Sequence, residues 1–182
     1  MQQWPPVISS ILDEYSGRPL PLTRSNDCNI ELARALRKSS TPAALFPNAR
    51  NAQAAYSALL LLLGYWEESH DLIDEDQTPE GCYLHAIVHR VEPNPANSAY
   101  WLRQVGQHPL FPEVRLNAQE ILKKDPVPGW QLKPDWDPYL FNSWCEEARR
   151  SPKSEKEKVA SKIQRAEWDL LFPWCASPRN SG

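Results

Sequence analysis

Hydrophobic and polar positions along this chain predict helices and not strands. No segment shows the sustained apolar–polar alternation of a half-buried β-strand, and recurring prolines do not fit central strands, because proline lacks the N–H that a β-ladder needs. Helix starts recur instead. A capping side chain precedes a proline at Thr78-Pro79, Asn94-Pro95 and Asp137-Pro138, and Ser154 with Glu157 forms a capping box. The chain is therefore predicted to be all-α.

The predicted helices are short. The sequence contains 18 prolines, which are too many for long, uninterrupted helices. The expected helices cover residues 7–15, 30–38, 51–63, 66–74, 80–91, 96–105, 112–123, 138–150 and 155–172. A length of 182 residues fits a single domain. We place it at residues 1–176, with its C-terminal helices in 138–172 and a frayed tail at 177–182.

Residues 51–106 carry a weak internal repeat. Two predicted helical hairpins follow each other at a spacing of roughly thirty residues, which is close to the period of tetratricopeptide repeats. Only two copies are visible, and repeat proteins normally need at least about three to be stable. The predicted architecture is an irregular helical bundle or a short solenoid of stacked hairpins, with a tetratricopeptide-like middle.

Composition narrows the partners and the location. A formal net charge of −3 lacks the basic footprint of duplex-binding proteins, so no nucleic-acid duplex is expected as a partner. The longest apolar run, residues 59–63, is far shorter than the roughly 20 residues that span a bilayer, and the N-terminus lacks a secretory pattern. No membrane partner is expected. The cysteines form no Cys-x-x-Cys pair, which predicts reduced thiols in the cytoplasm. They are Cys28, Cys82, Cys145 and Cys175.

All 4 histidines lie between positions 70 and 108. His85 and His89 are four residues apart in a predicted helix and therefore share a face, which Cys82 would join. On the preceding predicted helix, Glu67 and His70 form a Glu-x-x-His pair that also shares one face. If the two helices pack together, these side chains converge.

Such a convergence predicts a transition-metal site, because imidazole and carboxylate groups are ligands that zinc and iron favour. The expected ligands are Glu67, His70, His85 and His89. Glu-x-x-His pairs also occur in helical di-iron sites, although this sequence contains one such pair where those sites have two. The alternative interpretation is structural: the histidines are half-buried polar groups, hydrogen-bonded to Glu92, Asp71 or the backbone.

A second group of polar side chains belongs to the same region. It consists of Arg90, Glu92, Asn97, Tyr100, Arg103 and His108. The planar fork of arginine suits a carboxylate or phosphate, so this group predicts a site for a small anionic ligand. If the protein is an enzyme, His85 or His89 is the expected general base or metal ligand, and Arg103 the anion clamp. The structural alternative is an ion pair of Glu92 with Arg90 or Arg103.

Four segments of the sequence carry a resemblance. They are LGYWEESH at 63–70, TPEGCYLHAIVHRVEP at 78–93, NSAYWLRQVGQHP at 97–109 and IQRAEWDLLF at 163–172. Together they resemble an uncharacterised microbial family with a histidine-rich helical hairpin, over roughly residues 51–175, and the His-Arg-x-Glu-Pro segment is the most specific part. The resemblance implies a helical fold and a focus on the histidines, and it implies no reaction. A serine is usual in that family where Cys82 stands, which weakens Cys82 as a ligand.

The expected function is that of a small cytoplasmic helical protein with a His/Arg/Glu-rich pocket between its central hairpins, binding a metal or a small anionic ligand. The alternative is a helical-hairpin module for protein–protein interaction without catalysis, because paired hairpins form concave surfaces for peptides or partner helices. The first interpretation predicts converging polar groups in a concave site. The second predicts an exposed apolar groove away from the histidines.

Overall fold

The computed structural model describes residues 4–24 and 27–178, and the secondary structure in this part of the chain is helical. The helices are α1 Pro6–Glu14, α2 Ile30–Ser39, α3 Pro42–Leu45, α4 Ala52–Leu62, α5 Trp66–Asp71, α6 Pro79–Val91, α7 Pro95–Val105, α8 Phe111–Lys124, α9 Pro138–Arg149 and α10 Glu155–Ala176. Over these residues no strand forms, and the β-pairing is an isolated bridge between Ala49 and Pro178. The all-α prediction is confirmed.

The predicted caps begin the helices for the expected reason, since each side chain accepts a hydrogen bond from a free backbone N–H of the first turn. This holds for Thr78, Asn94, Asp137 and Ser154. The single-turn helix α3 was not predicted, although Thr41-Pro42 repeats the same cap. Helix α10 continues through Pro173 to Ala176, beyond the predicted end at residue 172.

Helix α10 is the central element of the fold. It packs against α4, α6, α8 and α9. Trp168 lies 1% exposed at its middle, stacks on Phe172 with ring centroids 5.1 Å apart, and donates its indole N–H to the carbonyl of Ala58 at 2.9 Å. Burial of such large aromatic side chains supplies much of the apolar area that stabilises a core.

The two central hairpins pack differently from each other. Helices α6 and α7 make the most extensive helix–helix contact in the described chain, whereas α4 contacts α10 as extensively as it contacts its hairpin partner α5. The contacts of α4 therefore extend beyond the neighbours that a simple stack of hairpins would provide. The tetratricopeptide-like detail of the prediction is not confirmed.

A turn at Gly64 joins α4 to α5 and brings α5 against α6. Gly64 has φ of 90°, and a Cβ atom added there would lie 3.1 Å from the carbonyl oxygen of Asp27, so the turn favours glycine twice over. Helix α5 is fixed to α4 by Ser57, whose hydroxyl donates to the carbonyl of Ser69 at 2.6 Å. The residue after Ser69 is His70, so these contacts determine where that imidazole lies.

A buried ion pair fixes α6 against α10. Arg90 and Glu167 pair at 1% and 0% side-chain exposure. Tyr83 donates to the same carboxylate at 2.8 Å, and the Arg90 Nε–H donates to Asn142 of α9 at 2.7 Å. A buried charge is tolerated only when it is paired and hydrogen-bonded, so this network determines the rotation of α6 about its axis.

The C-terminal end of the described chain returns to the start of α4. The N–H of Arg50 donates to the carbonyl of Ser177 at 2.7 Å. Residues 179–182 of the predicted tail lie outside the described residues. Among residues 4–24 and 27–178, no helix has both the length and the apolar character needed to cross a bilayer.

Candidate metal centre

Three of the four histidines converge where α5 crosses α6. His70 comes from α5, and His85 and His89 come from successive turns of α6. Each can contribute one ring nitrogen to a group whose atoms all lie within 4.8 Å of one another. The rings of His85 and His89 stack at 4.8 Å, and the ring of His70 meets them edge-on at 4.8 Å and 5.1 Å. We call these three residues the histidine cluster.

The most deeply buried member of the histidine cluster is His85. It is 1% exposed, and its ring stacks on Trp101 of α7 with centroids 3.9 Å apart. Neither ring nitrogen makes a well-formed hydrogen bond among the described residues, and the backbone of Ile73 provides only a weak polar contact. Burial lowers the pKa of His85 to about 3, the neighbouring imidazoles His89 and His70 add to this effect, and the backbone of Ile73 opposes it weakly. The ring is therefore neutral near pH 7, which is the form that binds metals.

The orientation of His89 is fixed by Glu92. Its Nδ1 lies 2.7 Å from the Glu92 carboxylate, which can only accept a hydrogen bond when ionised, so Nδ1 carries the proton and Nε2 keeps its lone pair. Burial opposes the ionisation of Glu92, but its hydrogen bond to His89 and the charge of Arg24 outweigh this and lower the pKa of Glu92. Carboxylate–histidine pairs of this kind orient the ligands of many zinc sites.

The pKa of His89 is also below its ordinary value. Burial is the main cause, and the charge of His70 adds to it. The hydrogen bond to Glu92 and the negative charges of Glu92 and Asp74 act in the opposite direction. The result is a second imidazole whose neutral form is favoured, beside acidic groups that attract cations.

Trp66 and Arg24 surround the exposed side of the histidine cluster. Trp66 stacks on His70 at 5.1 Å and donates its indole N–H to the carbonyl of Val88 at 2.7 Å. The Arg24 guanidinium lies 3.4 Å from the centre of the Trp66 ring and donates to Glu92 at 2.7 Å. His70 is the most exposed of the three histidines, at 22% of its side chain.

The donor set matches zinc in the type of its ligand atoms. In a tetrahedral site with Zn–N bonds of about 2.0 Å, the nitrogen atoms lie about 3.3 Å apart. The present separations reach up to 4.8 Å, so the rings would have to rotate toward one another to bind a common ion. Three imidazole ligands would leave the fourth position for water or another small ligand, as in zinc sites with three histidine ligands.

Glu67 and Cys82 are not part of the histidine cluster. Glu67 is exposed on α5. Cys82 is buried, with its thiol 3.8 Å from the carbonyl of Asp76, and burial raises its pKa to about 11. Without Glu67, the cluster lacks the carboxylate that a two-histidine, one-carboxylate iron site requires, so the donors favour zinc over iron.

The six residues predicted to bind an anion do not form one pocket. Arg90 lies in the core with Glu167, Asn97 is exposed, and the Arg103 side chain lies over the ring of Tyr100, which is 46% exposed. His108 packs against Tyr83 and Phe111, remote from the other imidazoles in its contacts. Glu92 pairs with Arg24, so neither of the predicted ion pairs with Arg90 or Arg103 forms.

Two residues of the site carry no functional signal in the sequence. Arg24 is 68 positions from Glu92, in the connection between α1 and α2. Trp101 resembles the other core aromatics of the chain. Both contacts arise from packing between distant segments, which a local sequence pattern does not record.

No family model matches the chain, and no match was found among curated proteins or among solved structures. The site must therefore be interpreted from its own chemistry.

Proposed function

We propose that this protein binds a zinc ion through His70, His85 and His89. The observation that supports the proposal is the state of His85, a fully buried imidazole with no well-formed hydrogen bond at either nitrogen and two more imidazoles beside it. A buried polar group without a partner costs about 1–3 kcal/mol. A metal ion at the shared position would provide the missing partner.

A structural role alone explains fewer of the contacts. Stacking on Trp101 accounts for the ring of His85 but leaves both nitrogens without a well-formed hydrogen bond. It also leaves unexplained why His89 directs its protonated nitrogen to Glu92, which keeps the other nitrogen free to bind. Zinc coordination accounts for both observations.

The fourth coordination position is where a small anion would bind, as an additional ligand to the metal. The sequence predicted an anion site that included Arg103. Because Arg103 lies elsewhere, the anion would bind at the metal instead.

The interaction-module alternative has less support, because the large exposed apolar residues of the described chain lie on four different helices. They are Ile30, Tyr100, Leu116 and Tyr139. Free cysteines, three of them buried, support a cytoplasmic location as part of the proposal.

Metal analysis tests the proposal directly. The untagged chain, purified without added metal, is expected to contain or take up one zinc ion. His70→Ala and His85→Phe, which keeps a flat ring on Trp101, are expected to weaken zinc binding by more than about 100-fold, since even indirect partners are worth 10–100-fold.

His108→Gln is the matched control, because it removes the histidine that lies outside the cluster. It should bind zinc as the wild type does. A wild-type chain that binds no zinc, or cluster variants that bind it equally well, would refute the proposal.

A further inference from the structure

Arg24 contacts the surroundings of two zinc ligands at once. Its Nη2 donates to Glu92 at 2.7 Å, and its guanidinium carbon lies 3.4 Å from the centre of the Trp66 ring. The first neighbour bonds to His89, and the second stacks on His70.

The first chain of contacts determines which nitrogen of His89 is free. Glu92 lies only partly buried at the end of α6, where a carboxylate with no other partner would have several rotamers. The ion pair with Arg24 selects the rotamer in which Glu92 also reaches His89 Nδ1. The imidazole is thereby held as the Nδ1–H tautomer with Nε2 available as a ligand.

The second chain of contacts determines where the ring of His70 lies. Trp66 stacks on His70 with an angle of 19° between the planes. The indole N–H of Trp66 donates a hydrogen bond to the carbonyl of Val88, and the Arg24 guanidinium lies against the indole ring in cation–π contact. His70 is the least buried of the three ligands, so it depends most on such a neighbour for its position.

We propose that Arg24, which is not itself a ligand, positions His89 and His70 together and so links the α1–α2 connection to the affinity of the zinc site. This inference rests on the proposed zinc binding. By thermodynamic linkage, zinc binding must stabilise the docked arrangement of Arg24 by the same factor by which Arg24 strengthens zinc binding.

The direction in which the zinc affinity changes when Arg24 is removed distinguishes a positioning role from a purely electrostatic one. A cation next to a dication site repels the metal, so removal of Arg24 should raise the zinc affinity if only its charge matters. Positioning predicts the opposite. Arg24→Gln is expected to lower the affinity by about 10- to 100-fold, the range typical of outer partners of metal ligands.

Arg18→Gln is the matched control. Arg18 belongs to the same connection and makes the same two kinds of contact, an ion pair with Glu14 and a cation–π contact with Tyr15, but neither partner touches the histidine cluster. It should leave the zinc affinity within about 2-fold of wild type, since exposed ion pairs contribute little.

The ring tautomer of His89 provides a readout that general destabilisation would not change. Imidazole nitrogen NMR of the metal-free folded protein should show a single Nδ1–H tautomer in the wild type and in Arg18→Gln, and a mixture in Arg24→Gln. If wild-type protein binds zinc while Arg24→Gln binds it equally or more tightly, or keeps a single tautomer, this inference fails and the zinc site stands. If the wild type binds no zinc, both fail.

Discussion

At the scale of single residues, α6 buries two basic side chains in opposite ways. Arg90 keeps its charge in the core because it pairs with Glu167 and donates a hydrogen bond to Asn142. His85 gives up its charge, since no acid reaches it and its pKa falls to about 3. Burying an unpaired charge costs several kcal/mol, whereas a neutral imidazole without a partner costs about 1–3 kcal/mol. The difference explains why one residue is a structural anchor and the other is available to a ligand.

Removal of the charge that pairs with Arg90 should destabilise the fold strongly. Glu167→Gln keeps the shape but leaves a buried guanidinium unpaired, so the free energy of unfolding in urea is expected to fall by about 3–5 kcal/mol. Glu31→Gln breaks the exposed pair with Arg34, whose side chains are 80% and 56% exposed, and should cost at most about 1 kcal/mol. Equal losses in the two variants would contradict the assigned role of the buried pair.

His108 gives the protein a pH dependence outside the proposed metal site. Burial lowers its pKa to about 4; Glu80 opposes this and Arg50 adds to it. Between about pH 6.5 and 4, His108 therefore binds more protons in the unfolded chain than in the folded one. Its contribution to the free energy of unfolding is fully present above about pH 6.5 and is lost as the pH falls toward 4.

The contribution of His108 can be isolated by difference. In metal-free wild type, the part of the free energy of unfolding that is due to His108 should fall by about 2 kcal/mol between about pH 7 and pH 5. Urea unfolding at both pH values should show a drop smaller by this amount in His108→Gln, because all other titrating groups are common to both proteins. Identical drops would show that His108 titrates normally.

At the level of helices, the Thr78-Pro79 start of α6 makes more hydrogen bonds to the rest of the fold than the Thr41-Pro42 start of α3. The Thr78 hydroxyl accepts from the N–H of Gly81 at 3.1 Å and from the Asn51 amide at 2.8 Å, and donates to Asp76 at 2.7 Å. Asn51 is itself the cap of α4, so this hydroxyl joins the starts of two helices. Thr41 at the start of α3 is exposed and accepts a single longer bond of 3.4 Å.

The two threonines predict unequal costs for the same substitution. Thr78→Ala should lower the free energy of unfolding by about 2 kcal/mol, the upper end for a cap, and Thr41→Ala by no more than about 0.5 kcal/mol. Thr78→Ser keeps the hydroxyl and should recover most of the loss. Chemical denaturation of the three variants measures this, and similar losses at both threonines would show that the added bonds to α4 contribute nothing.

At the scale of the whole molecule, the proposed zinc site joins α5 to α6 and, through Trp101 and Arg24, also contacts α7 and the α1–α2 connection. A ligand that binds only the folded chain stabilises all of it, whatever its location. Zinc should therefore act as a global stabiliser and not as a local one.

Thermal unfolding tests this coupling. At free zinc near 100 times the dissociation constant, the free energy of unfolding should rise by about 2.7 kcal/mol, which corresponds to a shift in Tm of roughly 5–10 °C for a chain of this size. His70→Ala should show no shift, while its Tm without metal should stay near that of the wild type because His70 is partly exposed. A zinc-induced shift that persists in His70→Ala would indicate binding elsewhere.

The sequence alone predicts the helical class, most helix starts and the shared face of His85 and His89. These are local properties, since a cap bonds to an N–H two or three residues away and an i,i+4 pair is set by the helix repeat. It missed α3, a single turn too short to give a periodic signal, and it ended α10 early because Pro173 resembles a stop.

Which side chains meet depends on the tertiary structure. It brought His70 to the α6 pair and left Glu67 exposed, although both lie on α5. It paired Arg90 with Glu167, 77 positions away, and Glu92 with Arg24, 68 positions away. Such pairings depend on how distant segments pack, and no local pattern of residues encodes them.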